Sequence, residues 1–147
     1  MSTADLIRFL QHPMPVVTIV GPSGAGKTAT AQAILTDLIR RGAAVAPDPY
    51  RFHFASAFRF FQSIRRAAVG DADFNSDCLA ELAGFLALDD IHLLDRRDEV
   101  AFMACVSSRT DKGLVTILTA ASLTDIPRFG PGIERRVREG RVVYLGA

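Results

Sequence analysis

The sequence predicts a three-layer α/β/α fold around a five-stranded parallel sheet. Three observations carry the prediction. Short apolar runs alternate with helical stretches along the chain. The run Val16-Val17-Thr18-Ile19-Val20 is β-branched and continuous rather than alternating, as a strand buried on both faces requires. A glycine-rich turn then joins that strand directly to a helix.

Taken in order, residues Ser2 to Gln11 form a short helical lead, which Pro13 and Pro15 end before the first strand. Lys27 to Arg41 is a helix with apolar positions at Ala31, Ile34, Leu35 and Leu38, stopped by Gly42. Ala43 to Pro49 reads as a loop, and the alternation in Tyr50 to Phe54 places the second strand there. Phe58 to Val69 is helical, Gly70 to Asp77 a polar loop, and Cys78 to Ala83 a short helix. Phe85 to Leu88 is a buried strand that ends in Asp89-Asp90. Arg96 to Arg109 is a helix, Leu114 to Thr119 a strand, Gly132 to Glu139 a short helix and Arg141 to Leu145 the last strand.

The 147 residues suit one domain, with 1–13 as its lead. Hydrophobic residues make up 49% and charged residues 22%, a balance that excludes a disordered tail protein. A net charge of +1 gives no global attraction to nucleic acid, so any DNA binding would come from a local basic patch. Cys78 and Cys105 form neither a disulfide framework nor a zinc pattern and read as packing thiols. No run approaches the roughly 18 apolar residues of a membrane span, and Asp5 and Arg8 interrupt any leader-like stretch, so a cytoplasmic protein is expected.

Gly21-Pro22-Ser23-Gly24-Ala25-Gly26-Lys27-Thr28 matches G-x-x-x-x-G-K-[ST] between a strand and a helix. Glycines at 21, 24 and 26 let the backbone curl until successive N–H groups form an anion nest. The helix that starts at Lys27, with Ala29 in its first turn, adds unpaired donors and a positive dipole end. Lys27 is expected to reach the β- and γ-phosphates of a nucleotide, and Thr28 to ligate Mg2+. A P-loop site needs a second carboxylate, and the strand ending in Asp89-Asp90 supplies it at the edge where ligands of open α/β sheets collect. Asp89 is assigned to the metal and Asp90 to polarising the attacking water.

These residues resemble a known family. The Gly21–Thr28 loop, the run Phe85-Leu86-Ala87-Leu88-Asp89-Asp90-Ile91-His92-Leu93-Leu94 and the run Val115-Thr116-Ile117-Leu118-Thr119-Ala120 are similar to the AAA+ ATPases of the DnaA branch. That branch holds the replication initiator, its regulator Hda, and the DnaC and IstB helicase-loader relatives. The resemblance spans residues 14–145, with 42–77 aligning poorly. It implies a P-loop NTPase sheet in the order 5-1-4-3-2, ATP or ADP with Mg2+ as cofactors, contacts that change on hydrolysis, and a partner in the replication machinery or self-assembly. Three departures follow from it. The chain is expected to be a reduced core, without the lid that carries a second sensor arginine and without a DNA-binding domain. The family's polar sensor falls on Ala121, leaving Thr119 or Ser122 as substitutes. Matching Glu134 and Arg136 to the family's finger segment puts the arginine finger on Gly140, so Arg136, Arg138 and Arg141 are the candidates.

Arg128, Arg135, Arg136, Arg138 and Arg141 are either a phosphate-reading or subunit-contact patch or a solvated face with i,i+4 pairs such as Glu134–Arg138. Phe58, Phe60 and Phe61, interleaved with Arg59, Arg65 and Arg66, read as a core stripe with basic residues outward. His12, His53 and His92 have no ligand spacing; His92, two positions past Asp90, could touch the nucleotide pocket, with a turn histidine as the default reading. Three functions stay in view: a slow Mg2+-dependent ATPase acting in replication initiation, its regulation or helicase loading; a nucleotide-gated adaptor with little hydrolysis; and a small P-loop kinase, for which no substrate pocket or Arg-bearing lid is evident.

Overall fold

The computed structural model describes residues 16–42, 52–70 and 84–146. Strands β1 (Val16–Val20), β2 (Phe52–Ser56), β3 (Phe85–Asp89), β4 (Val115–Ala120) and β5 (Arg141–Tyr144) pair in parallel in the order β2-β3-β4-β1-β5, the order expected. The helices between them are α1 (Lys27–Gly42), α2 (Ala57–Ala68), α3 (Glu99–Asp111) and α4 (Pro131–Glu139). The expected lead at 2–11, the loop at 43–49 and the helix at 78–83 lie outside the described residues.

Strand alternation sorts the core onto two faces. Val17 and Ile19 of β1, Ala87 of β3, and Val115 and Ile117 of β4 pack with Ala31, Ile34 and Leu35 of α1. Val16, Val20, Leu86, Leu88, Leu118 and Ala120 face the other way, against α2, α3 and α4. That second layer is tied by aromatic rings. Phe60 meets Phe61 edge-on at 5.0 Å, Phe61 meets Phe102 at 5.9 Å, and Phe102 lies 4.6 Å from Phe129. Arg109 is buried beneath α3, where its Nε donates to Thr116 Oγ1 (2.9 Å) and its Nη2 to the Val115 carbonyl (2.7 Å). The Phe-rich helix follows the reading in part: Phe60 and Phe61 are buried and Arg59 and Arg66 exposed, but Phe58 faces outward and Arg65 turns to the buried Asp98 at 3.2 Å.

Two elements depart from the sequence reading. The second strand runs Phe52–Ser56 rather than 50–54, because its end is set by pairing with β3, where Ser56 stands opposite Asp89. The helix expected from Arg96 starts as a single 3-10 turn, Arg96–Asp98, before α3 begins at Glu99. Asp95 causes this, since its side chain accepts from the Arg97 N–H (2.9 Å) and caps that turn. The Arg97 guanidinium hydrogen-bonds the same carboxylate, with the Arg97 N–H helping, and holds the Asp95 pKa down to about 2. A depressed carboxylate stabilises the fold above its ordinary pKa and loses that contribution as pH falls through the folded value. An NMR titration of the Asp95 carboxyl carbon is therefore expected to show its midpoint near 2.

Gly140 closes the turn from α4 into β5. A Cβ placed there would stand 2.0 Å from the Val16 carbonyl oxygen, a backbone atom that cannot swing aside. Gly140→Ala is expected to cost about 1–3 kcal/mol or more, read as a lower urea midpoint at unchanged slope.

Candidate functional site

The same alternation that builds the core delivers the polar residues. Along β3, Phe85, Ala87 and Asp89 share the α1 face, and along β4 so do Val115, Ile117 and Thr119. Asp89 and Thr119 thus reach the C-terminal edge of the sheet on the side where α1 starts. There the loop from Gly21 to Gly26 leaves β1, with Gly24 and Gly26 at φ 83° and 89°, values that favour glycine. The loop closes on itself through the Ala25 N–H, which donates to the Pro22 carbonyl (3.1 Å), and α1 takes over with Thr30 N–H to Gly26 (2.8 Å).

Four polar side chains, Lys27, Thr28, Asp89 and Thr119, meet at this edge. Lys27, 8% exposed, donates from Nζ to the carbonyls of Gly21 (2.7 Å) and Pro22 (3.2 Å). Thr28 Oγ1 donates to Asp89 Oδ2 at 2.8 Å, joining loop and strand across 61 positions. Thr119 Oγ1 donates to Asp89 Oδ1 at 2.5 Å and accepts the Asp90 N–H at 2.8 Å. Asp90 is left-handed (φ 55°, ψ 56°), alone among the described non-glycine residues, at a cost of about 1–2 kcal/mol. That conformation turns the chain into the 3-10 turn Ile91–Leu93.

An open pocket of about 480 Å³ lies over these groups, lined by Ser23, Gly24, Gly26, Lys27, Thr28, Ala29, Asp90, His92, Leu93 and Ala121. Gly21, Pro22 and Ala25 shape the loop behind it. Among the described residues no three His, Cys, Asp or Glu side chains gather. A cation here would therefore rest on the Thr28 hydroxyl, the Asp89 carboxylate and oxygens of its ligand. Those hard oxygen donors fit Mg2+, which keeps much of its water and takes few protein ligands.

The remaining candidates separate. Ser122 is exposed and occupied in a capping box: its Oγ accepts from Thr124 N–H (3.2 Å) and Asp125 Oδ2 accepts from its N–H (2.9 Å). Ala121 lines the pocket and brings no polar atom. Arg136 is half-buried with Nη2 3.7 Å from Asp111, Arg138 is exposed on a different cavity, and Arg141 opens β5; none of them lines the pocket. Gly140, where the family's finger would fall, has no room for any side chain.

His92, two positions past Asp90, lines the pocket, the alternative to its default reading as a turn histidine. Sequence reasoning missed one residue. Arg128, read with the basic tail, reaches back to donate from Nη1 to the His92 carbonyl (3.1 Å) and from Nη2 to Leu94 (2.6 Å), with Glu99 2.9 Å away. It pins the turn that follows Asp90. No local pattern could have shown contacts 34 and 36 positions apart.

No family model and no curated protein matches the sequence. Solved structures do. Domain III of the replication initiation protein DnaA from Thermotoga maritima superposes with a TM-score of 0.72 at 18% identity, over 97% of this chain and 60% of that one. A DnaC helicase loader gives 0.76 at 18%, over 97% of this chain and 86% of that one. A replication initiator DnaA bound to AMPPCP and single-stranded DNA gives 0.70 at 21%, over 95% of this chain and 44% of that one. The chain thus spans between 44% and 60% of the length of these DnaA structures. No described helix is long and apolar enough to cross a membrane. By strand order, layers and superposition, this chain has the fold shared by domain III of that DnaA and the DnaC helicase loader.

Proposed function

We propose that this chain is a cytoplasmic, Mg2+-dependent ATP-binding protein that hydrolyses ATP slowly and serves replication initiation, its regulation or helicase loading. The observation that carries the reading is the Thr28–Asp89 hydrogen bond beside the Gly21–Thr28 loop, at the floor of an open pocket. It joins the residues that the nucleotide chemistry needs, from opposite ends of the sequence. Lys27 would exchange its two carbonyl partners for phosphate oxygens, and loop N–H groups would take the rest of the anion's charge. Bound Mg2+ would neutralise phosphate charge from Thr28 and Asp89. Asp90, on the pocket lip, would polarise a water. Ala121 and the bar to a side chain at Gly140 predict low turnover when the protein is alone.

The same two features favour the adaptor as the second reading, a protein whose contacts follow nucleotide state with little hydrolysis. Asp90→Asn separates them. For the ATPase, phosphate release is expected to fall about 100-fold while ATP affinity stays within about threefold. Unmodified protein releasing less than about one phosphate per hour, with or without DNA, would replace the ATPase by the adaptor. DnaA in the solved complex carries single-stranded DNA and DnaC loads a helicase, so the proposed partners are a replication protein, a second copy, or DNA met by exposed arginines such as Arg135 and Arg138. Sizing the protein with ADP, ATP and a non-hydrolysable analogue, with and without DNA, distinguishes them: assembly only with ATP supports the self-assembling reading, and a constant monomer removes it.

A further inference from the structure

The geometry points to Thr119 as a positioning residue that sets both acidic residues at once, so that the tip of β4 acts on the site through Asp89 and Asp90 rather than by touching the nucleotide or its water. The inference goes beyond the function proposed above and rests on it.

The hydroxyl of Thr119 gives its one proton and one of its lone pairs to the two acidic residues. It donates to Asp89 Oδ1 (2.5 Å) and accepts from the Asp90 N–H (2.8 Å). A hydroxyl has one proton to give, so none is left for a phosphate or a water. The residue is also 1% exposed, which removes it from any direct contact with a ligand in the pocket. Ala121, which does reach the pocket, has nothing polar to offer, and Ser122 is turned to its own cap. Direct sensing from β4 is thus closed, while indirect control is built.

The two hydrogen bonds do different things. Asp89 has one oxygen held by the exposed Thr28 and the other by the buried Thr119. If Thr28 engages a cation, Thr119 still fixes the carboxylate's orientation from the sheet side. The bond from Asp90 N–H fixes the residue in its left-handed conformation, which an L residue with a side chain otherwise avoids. That conformation brings Asp90, and after it His92 and Leu93, onto the pocket lip.

The test compares unmodified protein with Thr119→Val, which keeps the β-branched shape without the hydroxyl, and with Thr119→Ser, which returns the hydroxyl. In nucleotide-free protein, hydrogen exchange at the Asp90 amide is expected to be slow in the parent and the Ser variant and at least about tenfold faster in the Val variant. ATP affinity is then measured in EDTA and in Mg2+. The Val variant is expected to bind as the parent does in EDTA, within about twofold, and to lose about tenfold of the gain that Mg2+ confers, with kcat falling more than KM moves; the Ser variant recovers both. A Val variant with parental Asp90 exchange and parental Mg2+ gain would overturn the proposal. Rapid Asp90 exchange with an undiminished Mg2+ gain would also overturn it, by making Thr119 purely structural. Failure of the unmodified protein to bind ATP in either medium is a separate result, which removes the nucleotide reading and this role with it.

Discussion

Lys27→Ala is expected to lower ATP affinity by roughly 100- to 1,000-fold while leaving the protein folded. The ammonium is held 8% exposed at the pocket floor, between the carbonyls of Gly21 and Pro22. A hydrogen bond to a charged group is worth about 1.5–3 kcal/mol, and two phosphate contacts, less the two carbonyl bonds given up for them, would place about 3–4 kcal/mol on this one side chain. At 1.4 kcal/mol per tenfold, that is the loss stated. The fold, by contrast, loses two bonds to loop carbonyls at the floor of an open pocket, where water would take the place of the ammonium, so the net cost is about 1–2 kcal/mol in all. Fluorescent-nucleotide titration and a thermal melt of the nucleotide-free protein check the two halves separately. Unchanged affinity would sink both the ATPase and the adaptor.

The largest effect on stability is expected at Phe102→Ala. Phe102 is fully buried and stands between Phe61 (5.9 Å, edge-on) and Phe129 (4.6 Å), so one ring joins α2, α3 and the segment before α4. Truncating a core phenylalanine costs about 3–5 kcal/mol through lost transfer energy and the cavity left behind. Against a total stability of about 5–15 kcal/mol, this is a large share, and the melting temperature should fall by about 10 °C or more. Phe102→Leu, which refills most of the volume, should recover much of the loss. A Phe102→Ala protein melting with the parent would show that this aromatic row is not the centre of the layer.

Where the information was local, the sequence spoke clearly. The β-branched run at Val16–Val20 and the loop at Gly21–Thr28 need no distant partner to be read, because burial on both faces and a turn that curls on glycine are properties of the segments themselves. The acidic end of β3 was legible for the same reason. The second strand was misplaced by two residues, since Tyr50 and Phe54 alternate well enough, yet the strand's end is fixed by Ser56 pairing with Asp89. The start of α3 was misread because a capping aspartate, Asp95, spends a turn in 3-10 geometry first. Within the site, Lys27, Thr28 and Asp89 converge as their motifs implied. The bonds of Thr119 to Asp89 and of Arg128 to His92 and Leu94 cross 30, 36 and 34 positions, and such contacts exist only once the sheet is assembled. The arginine candidates show the limit of matching by position. The resemblance would put the finger on Gly140, and the approach of the Val16 carbonyl, invisible in the sequence, leaves no room there for a side chain.

Isothermal titration of the full chain with ATP in Mg2+ meets the central claim head-on. Saturating heat with one nucleotide per chain, lost in Lys27→Ala, is the predicted result. A folded protein that gives no heat at millimolar ATP would contradict the account.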